Sequence, residues 1–185
     1  MPDVSINPSQ RVEEIVGRPL TFYFGIKGEL RRQRVEELLQ QVELQSDYAD
    51  RLPAELSGGQ KQRIGIARAL AAEPAVIICD EVTSALDQVV AQDVLRLLLR
   101  LQDETGTSYV FITHDLATVR AIADHVAVMY QGEVVESGVV DEVLQNPTTD
   151  YTRLLLSSVP EMRTGWLGER MAAREAAGQG AEVTI

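Results

Sequence analysis

Three short groups of residues in this chain carry chemical groups that could bind or cleave a phosphate. Residues 57–59, Ser-Gly-Gly, open a predicted helix, and a hydroxyl with unhindered backbone amides at a helix N-terminus favours an anion. Asp80 and Glu81 follow an apolar run, where paired carboxylates can hold Mg²⁺ through water and activate an attacking water. His114 follows the next apolar run and could contact a phosphate or hold a water.

Each group, taken alone, also has a plain structural interpretation. Ser57 is a good helix N-cap, so the glycines after it could simply form a loose turn. Asp80 and Glu81 could be solvated acids at the end of a strand. A lone histidine is more often structural than functional, and we give His125, which begins a predicted strand, the structural interpretation.

The hydrophobic pattern predicts an α/β chain with a partly parallel sheet. We expect helices at 9–24, 28–43, 57–72, 88–103, 116–123, 140–145 and 151–158, buried strands at 75–80 and 108–112, and a hairpin of 125–130 with 133–137 joined at Gln131–Gly132. Apolar stripes mark two of these helices: Leu30, Val35, Leu38, Leu39 and Val42, and Val89, Val90, Val94, Leu97, Leu98 and Leu101. Since ligands bind at the carboxyl ends of parallel strands, the residues after each strand are the candidate site.

Composition narrows the function classes. The chain has 185 residues with a net charge of -11, which argues against non-specific nucleic-acid binding, because that binding is driven by positive charge on phosphates. The single cysteine, Cys79, lies in an apolar run and fits a buried thiol in a reducing compartment. The start "MPDVSINPSQ" does not read as a signal peptide. No stretch is long and apolar enough to span a bilayer, so we expect any membrane link to go through a partner.

The order and spacing of these groups are more specific than any one of them. "LSGGQ" lies about twenty residues before a strand that ends in Asp-Glu, "SALD" follows directly, and "ITHD" ends the next strand. This arrangement resembles the ATP-binding subunits of ABC transporters. The resemblance assigns Ser57, Gly58, Gly59 and Gln60 to the signature motif that contacts ATP in trans, Asp80 to the Walker B strand and Mg²⁺ through water, Glu81 to the catalytic base, Asp87 to the D-loop and His114 to the switch histidine.

The flanking sequence resembles the oligopeptide, dipeptide and nickel importer group of that family. The resemblance covers about residues 2–160, and "NPTTDYTRLL" is its most distinctive part. Val82 stands where the family usually has proline, which puts the turn into the D-loop in doubt. Some members carry a cysteine cluster near the C-terminus; this chain has one cysteine, so we predict no iron–sulfur cluster.

The sequence contains no G-x-x-x-x-G-K-[ST] loop, whose amides and lysine cradle the phosphates of a bound nucleotide. The alignment also places the family's Q-loop glutamine just before Met1. The resemblance therefore implies the C-terminal part of an ATPase subunit, with the first half of the core missing. We expect a helical signature subdomain at 1–72, the second half of the P-loop NTPase core with C-terminal helices at 73–160, and a loose tail at 161–185.

Two functions remain open. The first is a truncated ATP-hydrolysing subunit of an ABC importer for peptides or a related solute such as nickel. It would use ATP and Mg²⁺ only with a chain that supplies the phosphate loop. Its expected partners are permease subunits, a second ATPase subunit and, through the permease, a solute-binding protein, but no nucleic acid. It would lie peripherally on the cytoplasmic face of the membrane. The second is a non-hydrolysing regulatory or docking module that keeps only the signature face, which would have no need of Glu81 and His114.

Overall fold

The computed structural model describes residues 6–158. The helices are α1 (Val12–Phe24), α2 (Gly28–Gln41), α3 (Gly58–Leu70), α4 (Gln88–Thr105), α5 (Leu116–Ile122), α6 (Val140–Gln145) and α7 (Asp150–Ser157), and the strands are β1 (Val76–Asp80), β2 (Ser108–Ile112), β3 (His125–Tyr130) and β4 (Glu133–Val139). Two 3₁₀ turns, Ser46–Asp50 and Pro53–Glu55, join α2 to α3. All the predicted helices and strands are present, with ends that differ by up to three residues.

Helices α1, α2 and α3 pack on one another around a continuous apolar core. The side chains at its centre, listed from the N-terminus, are Val12, Val16, Leu20, Val35, Leu39, Val42 and Ile64, each at most 1% exposed. Leu30 was predicted to belong to the apolar stripe of α2, but it is 60% exposed. It lies in the first turn of α2, where the neighbouring helix does not cover it.

Strands β1 and β2 pair in parallel, with Val76 opposite Ser108 and Asp80 opposite Ile112. The face that carries Cys79 packs against the core, whereas Ile78 on the other face is 68% exposed. The prediction that both strands are buried was therefore wrong for one face. A run of β-branched residues fits burial on both sides, but the described part of the chain covers only one.

Helix α4 lies after β1 and buries one stripe of its surface in the same core. Val94, Leu97, Leu98 and Leu101 are each at most 1% exposed, as the apolar pattern predicted. Val89 was predicted to belong to this stripe and is 70% exposed. The stripe therefore begins with Val90, which is partly buried.

Strands β3 and β4 form the predicted antiparallel hairpin. The turn residues Gln131 and Gly132 have φ of 50° and 86°, the left-handed pair that a two-residue hairpin turn requires. His125 lies at the first position of β3, opposite Val139, as its structural interpretation predicted. Helix α6 follows β4 directly and buries Val140, Val143 and Leu144.

The carboxylate of Glu136 on β4 holds the segment that leads into α7. It accepts hydrogen bonds from the backbone amide of Thr148 at 2.7 Å and that of Thr149 at 3.2 Å, and from both hydroxyls. Because these donors favour the ionised form, the pKa of Glu136 falls to about 2. Nearby, the rings of Tyr130 and Tyr151 lie 4.3 Å apart.

The chain divides into two compact units between Ile112 and Thr113. The first contains α1 to β2 and the second contains α5 to α7. The functional division predicted from the sequence, with boundaries at residues 72 and 160, stays a prediction, and its tail at 161–185 lies outside the described residues. Within 6–158 no helix combines the length and apolar character needed to cross a membrane.

Candidate functional site

Ser57 forms the N-cap of α3 through a reciprocal pair of hydrogen bonds. Its hydroxyl accepts from the amide of Gln60 at 3.3 Å, while the Gln60 side chain accepts from the amide of Ser57 at 2.9 Å. The Gln60 amide group also donates to the hydroxyl of Tyr48 at 3.0 Å. This capping box fixes the first turn of α3. Ser57 and Gly58 remain exposed, so the positive end of the helix dipole faces outward.

The two glycines after Ser57 lie against the loop and helix that follow β1. A Cβ built on Gly58 would lie 3.5 Å from Leu86, an ordinary contact, whereas one built on Gly59 would lie 2.5 Å from Val90. The structure thus brings the start of α3 together with the segment that carries Asp87. The sequence suggested anion access or a loose turn as the reason for these glycines, but not their packing against Leu86 and Val90.

Asp80 and Glu81 lie at the carboxyl end of β1, where the topology of a parallel sheet places ligands. The amide of Glu81 donates to the carbonyl of Ile112 at 2.9 Å, which ties it to the end of β2. Glu81 has a φ of 48°, an uncommon conformation for a residue with a side chain. Its carbonyl accepts from the Ser84 hydroxyl at 3.0 Å, so the turn after β1 is held from both sides.

Asp87 closes this turn as the N-cap of α4, and its carboxylate accepts from the amide of Val90 at 3.1 Å. The sequence placed Asp87 in a loop with a nucleotide-related role. In the structure its carboxylate has a local role, because it caps the first turn of α4. A cap of this kind contributes about 1 kcal/mol to a helix.

His114 begins the second unit and is exposed. The next residue, Asp115, caps α5 by accepting from the amide of Ala117 at 3.0 Å and from the hydroxyl of Thr118. The hydroxyl of Thr113 accepts from the amide of Asp115 at 3.1 Å. The backbone on both sides of His114 is therefore fixed by short-range hydrogen bonds.

The carboxylates of this site fit a magnesium ion whose other ligands are waters and phosphate oxygens. In residues 6–158, no three His, Cys, Asp or Glu side chains come together to hold a metal. Mg²⁺ usually keeps several waters and takes one or two carboxylates plus phosphate oxygens, and the exposed carboxylate of Asp80 suits that role. Cys79, one residue earlier, is a poor ligand because burial raises the pKa of its thiol to about 11.

A charged cluster that the sequence did not predict joins α3 and α4. Arg63 of α3 and Arg100 of α4 both contact the carboxylate of Glu43, at 2.5 and 3.1 Å. They also donate to the last carbonyls of α2, Arg63 to Val42 at 2.8 Å and Arg100 to Gln41 at 3.0 Å. The arginines lower the pKa of Glu43 through a hydrogen bond and charge. These residues are far apart in sequence and have no common spacing that could have revealed the cluster.

Comparison with known families identifies two parts of the chain. Residues 2–84 match the sequence profile of the ABC transporter family. Residues 135–182 match the profile of the oligopeptide/dipeptide transporter C-terminal region. The first match contains the residues from Ser57 to Glu81, and the second contains Glu136 and the segment that it holds.

Individual proteins agree with these profiles. The chain is 42% identical over 170 residues to the dipeptide transport ATP-binding protein DppF of Haemophilus influenzae, which covers 92% of this chain and 52% of the relative. It is 49% identical over 160 residues to the oligopeptide transport ATP-binding protein OppF of Escherichia coli, covering 86% of this chain and 48% of the relative. The chain therefore spans about half the length of these relatives.

The fold agrees as well. The dimeric post-hydrolysis structure of the ATP-binding cassette MJ0796, bound to ADP and Pi, superposes with a TM-score of 0.64 at 38% sequence identity. The match covers 73% of this chain and 59% of that chain. The predicted fold class, part of an ABC ATPase core with a parallel sheet and helices, is confirmed.

Proposed function

Since the chain belongs to the ABC transporter ATP-binding family, in its oligopeptide and dipeptide group, we propose that it acts as part of the ATP-binding subunit of a peptide importer. The observation that carries this proposal is the capped, outward-facing helix start at Ser57, in the same unit as the paired carboxylates Asp80 and Glu81. Both lie at the positions where the family's motifs match the sequence. The same family resemblance also fits an importer of a related solute such as nickel.

We assign two sets of roles to the candidate residues. Ser57 and the backbone amides of Gly58 and Gly59 would contact the γ-phosphate of a nucleotide held by another chain, where the helix dipole favours negative charge. Asp80 would hold the water shell of Mg²⁺, and Glu81 would orient the attacking water.

The remaining residues have separate proposed roles. His114 would contact the γ-phosphate, which gains charge as its bond breaks. Gln60 and Asp87 would act mainly through structure, because their side chains already cap α3 and α4. We therefore expect substitutions at Gln60 and Asp87 to reduce the rate by displacing Ser57 and the turn after β1.

The chain would need a phosphate-binding loop from elsewhere to act on ATP. Its sequence contains no such loop, and this loop supplies most contacts to the β- and γ-phosphates in P-loop enzymes. Ser57, acting on a nucleotide held by a partner, and Asp80 with Glu81, acting on a nucleotide bound in cis, can only stabilise nucleotides that are already positioned. ATP and Mg²⁺ are thus the proposed cofactors of an assembly.

The proposed assembly has three kinds of partner. A second ATPase subunit would supply the facing half of the nucleotide site, and the MJ0796 cassette is itself dimeric. Permease subunits in the membrane would receive the motion, and an extracytoplasmic solute-binding protein would deliver the peptide to them. The chain would then lie on the cytoplasmic face of the membrane.

A second candidate function is a docking module that keeps the signature face and does not hydrolyse ATP. Such a module would have no need of Glu81 and His114, so the presence of these two residues favours the first function. The two functions differ in what they predict for Glu81→Gln. An ATPase subunit should lose its hydrolysis rate in this variant, whereas a docking module should show no hydrolysis that depends on Glu81.

A chimaera would test the proposal. The part of E. coli OppF that precedes the matched region is fused to this chain, and Mg-ATP hydrolysis is measured for the wild type, Ser57→Arg and Glu81→Gln. We expect both variants to lose about a hundredfold or more in rate, since each removes charge stabilisation or water activation in the transition state. The long cationic side chain of Ser57→Arg would block the approach of the partner's phosphate.

Two controls separate these effects from folding. Ser57→Gly keeps the helix cap within a few tenths of a kcal/mol and leaves the space open but removes the hydroxyl proposed to contact the γ-phosphate, so its rate should lie between those of the wild type and Ser57→Arg. Ser137→Arg places the same charge at an exposed position of β4 and should have no effect. Normal hydrolysis by Ser57→Arg would refute the assigned signature face, and normal hydrolysis by Glu81→Gln would remove the proposed base.

A further inference from the structure

The second signature glycine, Gly59, has a packing constraint that is internal to the chain. A Cβ at this position would lie 2.5 Å from Cγ1 of Val90, a separation that real Cβ atoms essentially never show. Valine cannot easily rotate away, because its branched side chain has few allowed rotamers. The equivalent atom on Gly58 meets Leu86 at an ordinary 3.5 Å. The close approach is therefore specific to Gly59 and the first turn of α4.

A second contact joins the same two helices further along. The carboxylate of Glu43 lies between Arg63 of α3, at 2.5 Å, and Arg100 of α4, at 3.1 Å. The Arg63 side chain is only 16% exposed, so this ion pair is better shielded from water than a surface pair. Helices α3 and α4 are thus tied at their N-terminal ends by Val90 and, further along both helices, by Glu43.

We propose that Val90 is a positioning residue that holds Gly59, and with it the Ser57 cap, against the helix that begins at Asp87, so that both motifs meet a nucleotide as one rigid body. Glu43 supports the same arrangement through its two arginines. This inference rests on the proposed function for its meaning, but the contact itself is a property of the chain alone.

The glycine at position 59 then has two competing explanations. If the partner's phosphate comes so close to the Gly59 backbone that no side chain fits, any side chain at position 59 is harmful and no change at Val90 can help. If Val90 imposes the glycine, the loss caused by Gly59→Ala is relieved when Val90 is made smaller. A double variant therefore separates the two explanations.

Hydrogen exchange of the full chain in native buffer at 10 °C tests the contact. Two amides report on the contact. The amide of Lys61 donates to the carbonyl of Ser57 at 2.9 Å, and the amide of Ala91 donates to the carbonyl of Asp87 at 2.9 Å. We expect Gly59→Ala to raise exchange about tenfold or more at both amides, since overpacking destabilises a packed contact. Adding Val90→Ala should restore most of the protection at both.

Val89→Ala is the matched control, because Val89 is the adjacent residue and is 70% exposed. Adding it to Gly59→Ala should leave the fast exchange unchanged. The proposal is wrong if Gly59→Ala raises exchange at Lys61 alone, or if Val89→Ala restores protection as well as Val90→Ala does. It also fails if the wild-type chain already exchanges freely at Ala91.

The same variants in the OppF chimaera test the positioning role. We expect Gly59→Ala to lower kcat about tenfold or more and the added Val90→Ala to recover most of it. Recovery of protection without recovery of kcat would overturn the positioning role and assign Gly59 to phosphate approach. A wild-type chimaera with no turnover would refute the proposed function and the positioning role together, while the exchange experiment would still decide the contact.

Discussion

Helices α1–α3 and strands β1–β2 differ in how they bury their apolar side chains. In the helices, Leu20, Leu39 and Ile64 are each at most 1% exposed. In the strands, the side chains on one face of the sheet are open to solvent. Val76, Ile78, Val110 and Ile112 lie on this face and are between 49% and 68% exposed. The same chain thus contains a closed helical core and a sheet with one uncovered face.

This difference separates the two halves of the candidate site. Ser57 and Gly59 lie on a helix whose cap, core and side contacts come from residues 12–105, so the signature face can form with what the described chain provides. Asp80 and Glu81 lie at the end of a two-stranded sheet with two unpaired edges among the described residues. The candidate carboxylates Asp80 and Glu81 therefore lie on a less supported part of the described structure than Ser57 does.

The largest expected effect concerns catalysis. We predict that the isolated chain has no Mg-ATP hydrolysis above background, because the phosphate loop that positions the nucleotide is absent from its sequence. The measurement is phosphate release by purified chain at millimolar Mg-ATP. Turnover that is present in the wild type and abolished by Glu81→Gln would contradict the prediction and show that the sheet end is complete.

The uncovered face predicts the behaviour of the isolated chain in solution. Edge strands that combine apolar side chains with unpaired backbone groups promote association with other chains. Each buried, unpaired backbone group also costs about 1–3 kcal/mol, out of a typical free energy of unfolding of about 5–15 kcal/mol. We expect size-exclusion chromatography to show species larger than a monomer, and a thermal melt to show a broad transition. Ile78→Thr should increase the monomer fraction, because it removes apolar surface from the open face.

A sharp transition from a soluble monomer would overturn this expectation and show that the chain is a self-sufficient domain. Val89→Thr, which removes a similar amount of apolar surface from an exposed position of α4, serves as the matched control. It should leave the monomer fraction unchanged.

The helical core should give the clearest difference between two identical substitutions. Ile64→Ala creates a cavity at a fully buried position, so we expect it to cost about 2–5 kcal/mol in the opening free energy of α1–α3. Ile78→Ala, at 68% exposure, should cost these helices less than about 0.5 kcal/mol. Amide hydrogen exchange of α1–α3 measures both, and equal effects would mean that Ile78 is packed in solution as tightly as Ile64.

The sequence predicted those features that are local along the chain. Ser57 was identified as a helix cap from its residue type and position, and the Gln131–Gly132 turn from its place between two apolar strands. Both are confirmed because caps and tight turns are decided by a few neighbouring residues.

Features that depend on distant neighbours could not be predicted in this way. An apolar strand indicates that it can be buried, but not which of its faces finds a partner, so the exposure of Ile78 was missed. The Glu43–Arg63–Arg100 cluster was also missed, because charged residues on helices usually face solvent. The packing of Val90 on Gly59 has no pattern in the sequence at all.

The smallest predicted effect lies in the second unit and depends on pH. The pKa of Glu136 is lowered to about 2 because four donors from Thr148 and Thr149 stabilise its ionised form. A carboxylate whose pKa is lower in the folded state contributes its stability above its ordinary pKa and loses it as pH falls through the folded value. The link between β4 and α7 should therefore contribute fully at pH 5, weaken progressively as pH falls below the ordinary value of 4.5, and be lost below about 2.

NMR titration of the Thr148 and Thr149 amides measures this midpoint directly. We expect a midpoint near pH 2 in the wild type and no titration in Glu136→Gln, which keeps the size of the side chain and removes its charge. Glu133→Gln, at an exposed position of the same strand, is the control and should leave the titration in place. A wild-type midpoint near 4.5, the ordinary value for glutamate, would mean that these four hydrogen bonds do not hold the carboxylate in solution.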